Sequence, residues 1–146
     1  MILIAHRGNL NGPNKELENS PKYIMSAIKK GYYVELDLWF MNDKLYLGHD
    51  SPDYEITIDF LLNIKNKLFC HCKNIQALKL IVDKFPEIEC FFHDNDDVVL
   101  TSKNKLWTFP GRELTSLSIC VMPERSKQIP KNCFGICSDF VIKYKN

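Results

Sequence analysis

Two histidines, two acidic residues and an arginine lie near the start of this chain in an arrangement suited to phosphate chemistry. They are His6, Arg7, Glu35, Asp37 and His49. A phosphodiester resists attack because its oxygens are negatively charged and its alkoxide leaving group is poor. Cleavage therefore requires positive charge near the phosphate and a proton for the leaving oxygen. These residue types supply both, so the motifs predict metal-assisted cleavage of a phosphodiester.

Each part of that reaction has a candidate group. Carboxylates such as Glu35 and Asp37 are hard oxygen ligands for Mg²⁺ or Ca²⁺, which would bind the phosphoryl oxygens as a Lewis acid. A histidine, with an ordinary pKa of about 6.5, can act as general base or general acid near neutral pH. We therefore expect His6 and His49 to form the acid-base pair.

Two cations are candidates for holding the phosphate. Arg7 offers a planar, permanently charged fork that suits a phosphate group. Lys73 would add a point charge from the other side, or would otherwise be solvated. The remaining polar strand ends, at His93, Trp107, Glu124 and Asp139, are expected to be structural or to line a different pocket.

The predicted elements bring these residues together. The apolar residues 1–5 predict a buried strand that ends at His6. Residues 33–40 predict a second strand, in which Glu35 and Asp37 share one face because alternate strand residues point the same way. A turn at residues 42–43 would lead into a strand over 44–47 and fold His49 back towards the acids.

Beyond these elements, helices and strands alternate along the chain. The pattern predicts helices over residues 20–30, 56–64 and 74–84, and strands over 68–72, 88–92, 106–109, 118–122 and 134–142. Such alternation favours an α/β fold with a parallel sheet that is closed, or nearly closed, as a barrel.

Composition narrows the class of protein. A chain of 146 residues, 45% apolar and 25% charged, predicts a single globular domain over residues 1–146. A net charge of +1 argues against nucleic-acid binding. No apolar run is long enough to cross a bilayer, and the run at residues 1–5 is too short for a signal-peptide core. The six irregularly spaced cysteines then favour reduced thiols and a cytoplasmic location.

Four motifs carry a resemblance to a known family. His6-Arg7-Gly8, Glu18-Asn19-Ser20, Glu35-Leu36-Asp37 and His49-Asp50 occur in the order and near the spacing of the glycerophosphodiester phosphodiesterase family. More broadly, the chain resembles the phospholipase-C-like barrel phosphodiesterases. The segment from Gly135 to Asp139 is similar to the pattern of that family's last strand.

The resemblance implies a TIM-type (β/α)₈ barrel with a divalent cation bound at the carboxyl ends of its strands. It implies that His6 and His49 are the acid-base pair, that Glu35 and Asp37 bind the metal, and that Arg7 holds the phosphate. The substrate would be a small or lipid-derived phosphodiester.

The chain departs from the family pattern in three places. His71 stands where the family has a metal-binding glutamate, so it becomes a candidate ligand and shifts the expected metal from Mg²⁺ or Ca²⁺ towards Mn²⁺ or Zn²⁺. Lys73 does match. The chain is shorter than the usual barrel of about 250 residues, which predicts abbreviated or missing helices in the second half. The family's insertion after His49-Asp50 is also absent.

These departures leave alternatives open. The attacking group is water, giving hydrolysis, or a substrate hydroxyl, giving a cyclic phosphate. A non-catalytic phosphate-binding or sensor module is the alternative from another class. Missing outer helices would also expose apolar surface that a second copy of the chain could cover.

Overall fold

A computed structural model describes residues 1–145, and its centre is one curled, mixed β-sheet. Within these residues the strands are β1 (Ile2–His6), β2 (Tyr33–Met41), β3 (Lys44–Leu47), β4 (Tyr54–Ile56), β5 (Leu68–Cys72), β6 (Cys90–Phe92), β7 (Val98–Leu100), β8 (Leu106–Thr108), β9 (Ser118–Val121) and β10 (Gly135–Ser138). The helices are α1 (Pro21–Lys29), α2 (Ile58–Ile64), α3 (Ile75–Lys84) and α4 (Pro123–Ser126), with 3₁₀ turns at Lys65–Lys67 and Val141–Tyr144.

The sheet runs in parallel from β8 through β9, β10, β1, β2 and β5 to β6. Three short strands join it in antiparallel fashion: β3 pairs with β2, β4 pairs with β3, and β7 pairs with β8. Within residues 1–145 no ladder connects β6 to β7, so the sheet curls into a half-barrel without closing.

The predicted TIM-type (β/α)₈ barrel is therefore wrong. The sheet is mixed and open, and the described part of the chain holds four short helices in place of eight. The reason is the length of the connections. Segments 93–97 and 109–117 are too short for a crossover that contains a helix, which takes at least about 10–12 residues. The antiparallel β7 occupies the place of such a crossover.

Local signals in the sequence located the elements that carry the site. Ser20 caps α1 by accepting a hydrogen bond from the backbone N–H of Tyr23, and Pro21 occupies its first turn. Asn42 and Asp43 both adopt positive φ, as a tight turn between β2 and β3 requires. The predicted bounds of β3 and β5 agree with the structure, whereas β4, β7 and α4 were not predicted.

Two apolar clusters cover the two faces of the sheet. On the outer face, α1 and α3 pack against buried residues of β2 and β5, including Leu36, Leu38 and Cys72. On the inner face of the curl lies a second cluster built around Ile4, Phe69, Phe91, Trp107 and Ile119. This inner cluster supports the polar residues at the ends of the strands.

None of the helices within residues 1–145 is both long enough and apolar enough to span a membrane.

Candidate functional site

Three neighbouring parallel strands place the predicted polar residues at one edge of the sheet. β1 ends at His6, β2 carries Glu35 and Asp37, and β5 carries His71. In the ladders, His6 stands beside Glu35, and Asp37 stands beside His71. The carboxyl ends of parallel strands meet at one edge, which is the usual place for a site in α/β sheets.

The acids and His71 form a compact donor set. One ligand atom each from Glu35, Asp37 and His71 lies within 4.8 Å of the others. The two carboxylates are 2% and 0% exposed. Asp37 Oδ1 is buried without a well-aligned hydrogen bond, although His71 Nδ1 lies 3.0 Å away. Donors this close together can share one cation at ligand distances of about 2.0–2.6 Å. The residues therefore fit the divalent metal that the sequence implies.

Charge in this cluster favours the protonated form of His71. Burial lowers the pKa of His71, but the neighbouring carboxylates of Asp37 and Glu35 outweigh that effect and raise it to about 9. For Asp37, burial raises the pKa, whereas His71 and Arg7 together hold it well below its usual range. At neutral pH His71 therefore carries a proton that a metal ion would have to displace.

The Glu18-Asn19-Ser20 motif supports the site with two of its side chains. Asn19 Nδ2 donates to Asp37 Oδ2 at 2.8 Å, and Asn19 Oδ1 accepts from the backbone N–H of Asp37 at 2.9 Å. Glu18 Oε2 accepts from Arg7 Nη1 at 3.2 Å. Ser20 begins the helix that follows. The sequence showed this motif only as part of a resemblance, without a role for Asn19.

Arg7 is held in an unusual conformation beside the acids. Its φ is 52°, in the left-handed region, and its backbone N–H lies 3.2 Å from Glu35 Oε2. Its guanidinium contacts Glu18 and also Asp37, with Nε 3.0 Å from Oδ2 of the latter. Arginine has five N–H donors, so donors remain for an anion in the adjoining cavity.

His6 is oriented by an acid from the other end of the chain. Its Nδ1 lies 2.7 Å from Asp139 Oδ1, and its Nε2 lies 3.8 Å from Glu35 Oε2. Burial raises the pKa of Asp139, but hydrogen bonding with His6 and with Asn9 helps to lower it below its ordinary value. A carboxylate at Nδ1 favours the tautomer in which Nε2 is free to accept a proton. The Gly135 to Asp139 pattern was the one sequence signal for this partner.

His49 lies just after β3. Its side chain is 39% exposed, and its Nδ1 lies 2.7 Å from Asp50 Oδ1. The preceding Gly48 has a φ of 152° and donates its N–H to the Asp37 carbonyl at 3.1 Å. The Gly48 carbonyl accepts a hydrogen bond from Trp39 Nε1. These backbone contacts fix where the loop presents His49.

A cavity of about 390 Å³ joins these groups. Of the seven predicted site residues, six line it: His6, Arg7, Glu35, His49, His71 and Lys73. Asp37 lies behind them, fully buried, with Lys73 Nζ 3.9 Å from its Oδ1. The rest of the lining, called the second wall below, consists of His93, Asp94, Trp107, Phe109, Pro110, Val121, Met122 and Arg125. Glu124 instead bonds to Ser138 and Tyr144.

No protein-family model, curated protein or solved structure matches the chain. The likeness to glycerophosphodiester phosphodiesterases therefore depends on the motifs of the sequence.

Proposed function

We propose that the protein is a metal-dependent phosphodiesterase of the glycerophosphodiester phosphodiesterase type. Its substrate is a small or lipid-derived phosphodiester. One observation carries the proposal: His6 and His49 border the same cavity as the close cluster of Glu35, Asp37 and His71. Acid-base groups and a candidate metal site on one cavity are the two requirements for this reaction.

Glu35, Asp37 and His71 would hold the metal. A divalent cation bound there supplies a Lewis acid for a phosphoryl oxygen. The two carboxylates suit Mg²⁺ or Ca²⁺, whereas the imidazole of His71 favours Mn²⁺ or Zn²⁺. Arg7 and Lys73 line the cavity beside this cluster and would bind the phosphate through their positive charges.

The two histidines would move the protons. One imidazole takes a proton from the attacking oxygen as the new P–O bond forms. The other gives a proton to the leaving oxygen as the old P–O bond breaks. His6 has the better-defined orientation, because its carboxylate partner Asp139 is largely buried, whereas Asp50, the partner of His49, is exposed. Attack by water yields a phosphomonoester and an alcohol, whereas attack by a neighbouring substrate hydroxyl yields a cyclic phosphate.

One observation favours a second candidate, a non-catalytic phosphate-binding module. Asp37 has three cationic side chains within 3.9 Å: Arg7, His71 and Lys73. With His71 protonated, the chain's own cations offset the charge of its acids, and such a pocket could hold a phosphate without a metal.

The proposal includes a cytoplasmic location and a small-molecule partner. The six cysteines are all free thiols, five of them buried, as is usual for proteins of reducing compartments. The net charge of +1 gives no support for nucleic acid as the partner.

The deciding experiment follows release of alcohol from a panel of phosphodiesters with and without Mg²⁺, Ca²⁺, Mn²⁺ or Zn²⁺. We expect His6→Ala and His49→Ala each to lower kcat by about 10²- to 10⁴-fold, the usual value of a positioned acid or base. Added imidazole should restore part of the rate, which separates lost chemistry from misfolding. Phosphorus NMR of the product distinguishes hydrolysis from cyclisation.

Equal rates of alcohol release by the parent protein and both histidine variants would contradict the enzymatic proposal. Phosphate binding that persists in a chelator, with no turnover of any diester, would instead establish the binding module.

A further inference from the structure

The second wall of the cavity has no part in the proposed proton transfers or metal binding. It is built from residues in or just after β8 and β9, from residues just after β6, and from Arg125 of α4. Trp107, Phe109, Val121 and Met122 give it an apolar surface. The ring of Phe109 stacks on His93 with centroids 4.1 Å apart, and Trp107 stacks on Phe91 at 4.5 Å. Both rings line the cavity, with Phe109 half-buried and Trp107 almost fully buried.

The short helix α4 is flanked on both sides by residues in strained backbone conformations. Met122, which precedes it, has a φ of 45°, and Lys127, which follows it, has a φ of 54°. Left-handed conformations are rare for residues with long side chains and persist only where surrounding structure enforces them. Met122 is buried and lines the cavity. Strain at both ends of a single helical turn beside a cavity is typical of a functional segment.

Side-chain hydrogen bonds connect α4 and the residue Gln128 after it to three neighbouring segments. Glu124 Oε1 accepts from Ser138 Oγ of β10 at 2.9 Å, and Glu124 Oε2 accepts from the Tyr144 hydroxyl at 3.4 Å. Gln128, just after the helix, donates to the carbonyl of Arg112 at 2.7 Å and accepts from the backbone N–H of Gly111 at 3.1 Å. The position of the next residue after Glu124 is thereby fixed relative to the cavity.

That next residue is Arg125, an exposed residue whose guanidinium has no partner among residues 1–145. The chain has three arginines. Arg7 is paired with Glu18 and Asp37, and Arg112 is paired with Asp97 at 2.7 Å. Within residues 1–145, Arg125 makes no salt bridge and no side-chain hydrogen bond, not even with Asp94 of the same wall, although it lines the cavity. A guanidinium presented without a carboxylate is suited to bind an anion from outside.

We infer that Arg125 binds a second anionic group on the substrate, so that the site selects phosphodiesters in which one ester group carries its own carboxylate or phosphate. The body of that ester group packs against Trp107 and Phe109, while its charge reaches Arg125. This inference rests on the proposed function for the identity of the first phosphate. It concerns specificity, because Arg125 has no role in the proton transfers.

The test compares two diesters that differ by one charge: 4-nitrophenyl phenyl phosphate and 4-nitrophenyl 4-carboxyphenyl phosphate. Their affinities are measured by calorimetry for His49→Ala, which slows turnover by at least about 100-fold under the proposed function, alone and combined with Arg125→Gln. We expect Arg125→Gln to weaken binding of the carboxylated diester about 10- to 100-fold, the loss typical of a charge-assisted hydrogen bond. Binding of the diester without the carboxylate, whose only charge is on its phosphate, should change less than about twofold.

Arg112→Gln is the matched control, since it removes an arginine that is paired with Asp97 outside the cavity. It should leave both affinities unchanged. Arg125→Lys should retain part of the preference, because it keeps the charge and loses the fork.

Release of nitrophenol, measured with His49 intact, separates this inference from the proposed function. If neither diester is cleaved but the charge-dependent loss of affinity persists, the enzymatic proposal fails and the Arg125 subsite stands. The subsite is overturned, whatever the rate of cleavage, if Arg125→Gln weakens the binding of both diesters equally or of neither. It is also overturned if the His49→Ala protein binds neither diester.

Discussion

At the scale of single residues, Asn19 shows how the site depends on a side chain that takes no part in the chemistry. Both of its amide atoms bond to Asp37, one to the carboxylate and one to the backbone. Its φ of 64° is a left-handed value that asparagine tolerates better than most residues. It is also buried, so nothing from solvent can replace these bonds. Asn19 is therefore a positioning residue for the carboxylate.

We expect Asn19→Gly to destabilise the protein by about 1–3 kcal/mol, because glycine keeps the backbone conformation while Asp37 loses two buried hydrogen bonds. The free energy of unfolding in urea measures this loss. Asn104→Gly is the matched control, since Asn104 has a φ of 62° but is exposed. A loss as large in Asn104→Gly would show that the Asn19 amide itself contributes little.

At the scale of elements, the hairpin of β2 and β3 decides where His49 stands. The alternation within β2 and the turn at Asn42 and Asp43 fix its register, and Leu38 pairs with Leu47 at its end. Gly48 then turns the chain towards the cavity. A Cβ built on Gly48 would lie 1.9 Å from the Ser51 carbonyl oxygen, closer than any real contact allows. The loop that carries His49 therefore requires glycine here.

Gly48→Ala should destabilise the protein by about 2 kcal/mol or more, because the clash with backbone adds to the strain of a positive φ. Chemical unfolding gives the magnitude. The control is Gly31→Ala, since Gly31 has a φ of 96° but nothing within 4 Å of a Cβ. It should lose only about 1 kcal/mol for its backbone conformation. Equal losses would mean that strain, and not the clash, accounts for the requirement.

At the scale of the whole molecule, the open curled sheet still gathers distant segments around one cavity. The inner apolar cluster supports the polar strand ends from below, and the four histidines of the chain all line the space above it. Two anionic residues, Glu35 and Asp37, are buried at its edge. A metal ion bound there would stabilise the folded chain as a whole, because it would link residues of β2 to a residue of β5.

We expect Mn²⁺ or Zn²⁺ to raise the Tm of the parent protein and to have little effect on Asp37→Asn, which keeps the shape but removes the charge. At a metal concentration of 100 times Kd, linkage gives a stabilisation of about 2.7 kcal/mol. Differential scanning calorimetry measures the shift. Lys79→Gln, at a side chain far from the acids and paired with Asp83, serves as the control and should respond like the parent. A parent protein whose Tm is unmoved by any divalent ion would contradict the metal site.

The sequence by itself determined the elements whose signals are local. The period-two alternation of β2 placed Glu35 and Asp37 on one face, Ser20 and Pro21 marked the start of α1, and the turn residues predicted the hairpin before His49. The candidate role of His6 also followed from a strand end, whereas His71 and Lys73 were compared with the family's motif. The types and positions of these helices and strands could be predicted because propensity, capping and alternation act over a few neighbouring residues.

Only the tertiary structure decided which partners these residues have and whether the sheet closes into a barrel. The bond of His6 to Asp139 spans 133 residues of sequence, and that of Asn19 to Asp37 spans 18. The half-barrel replaced the predicted closed barrel because short connections after β6 could not hold crossover helices. The unpaired Arg125 likewise depends on contacts between α4 and β10. Such contacts arise from packing between segments distant in sequence, which no local pattern encodes.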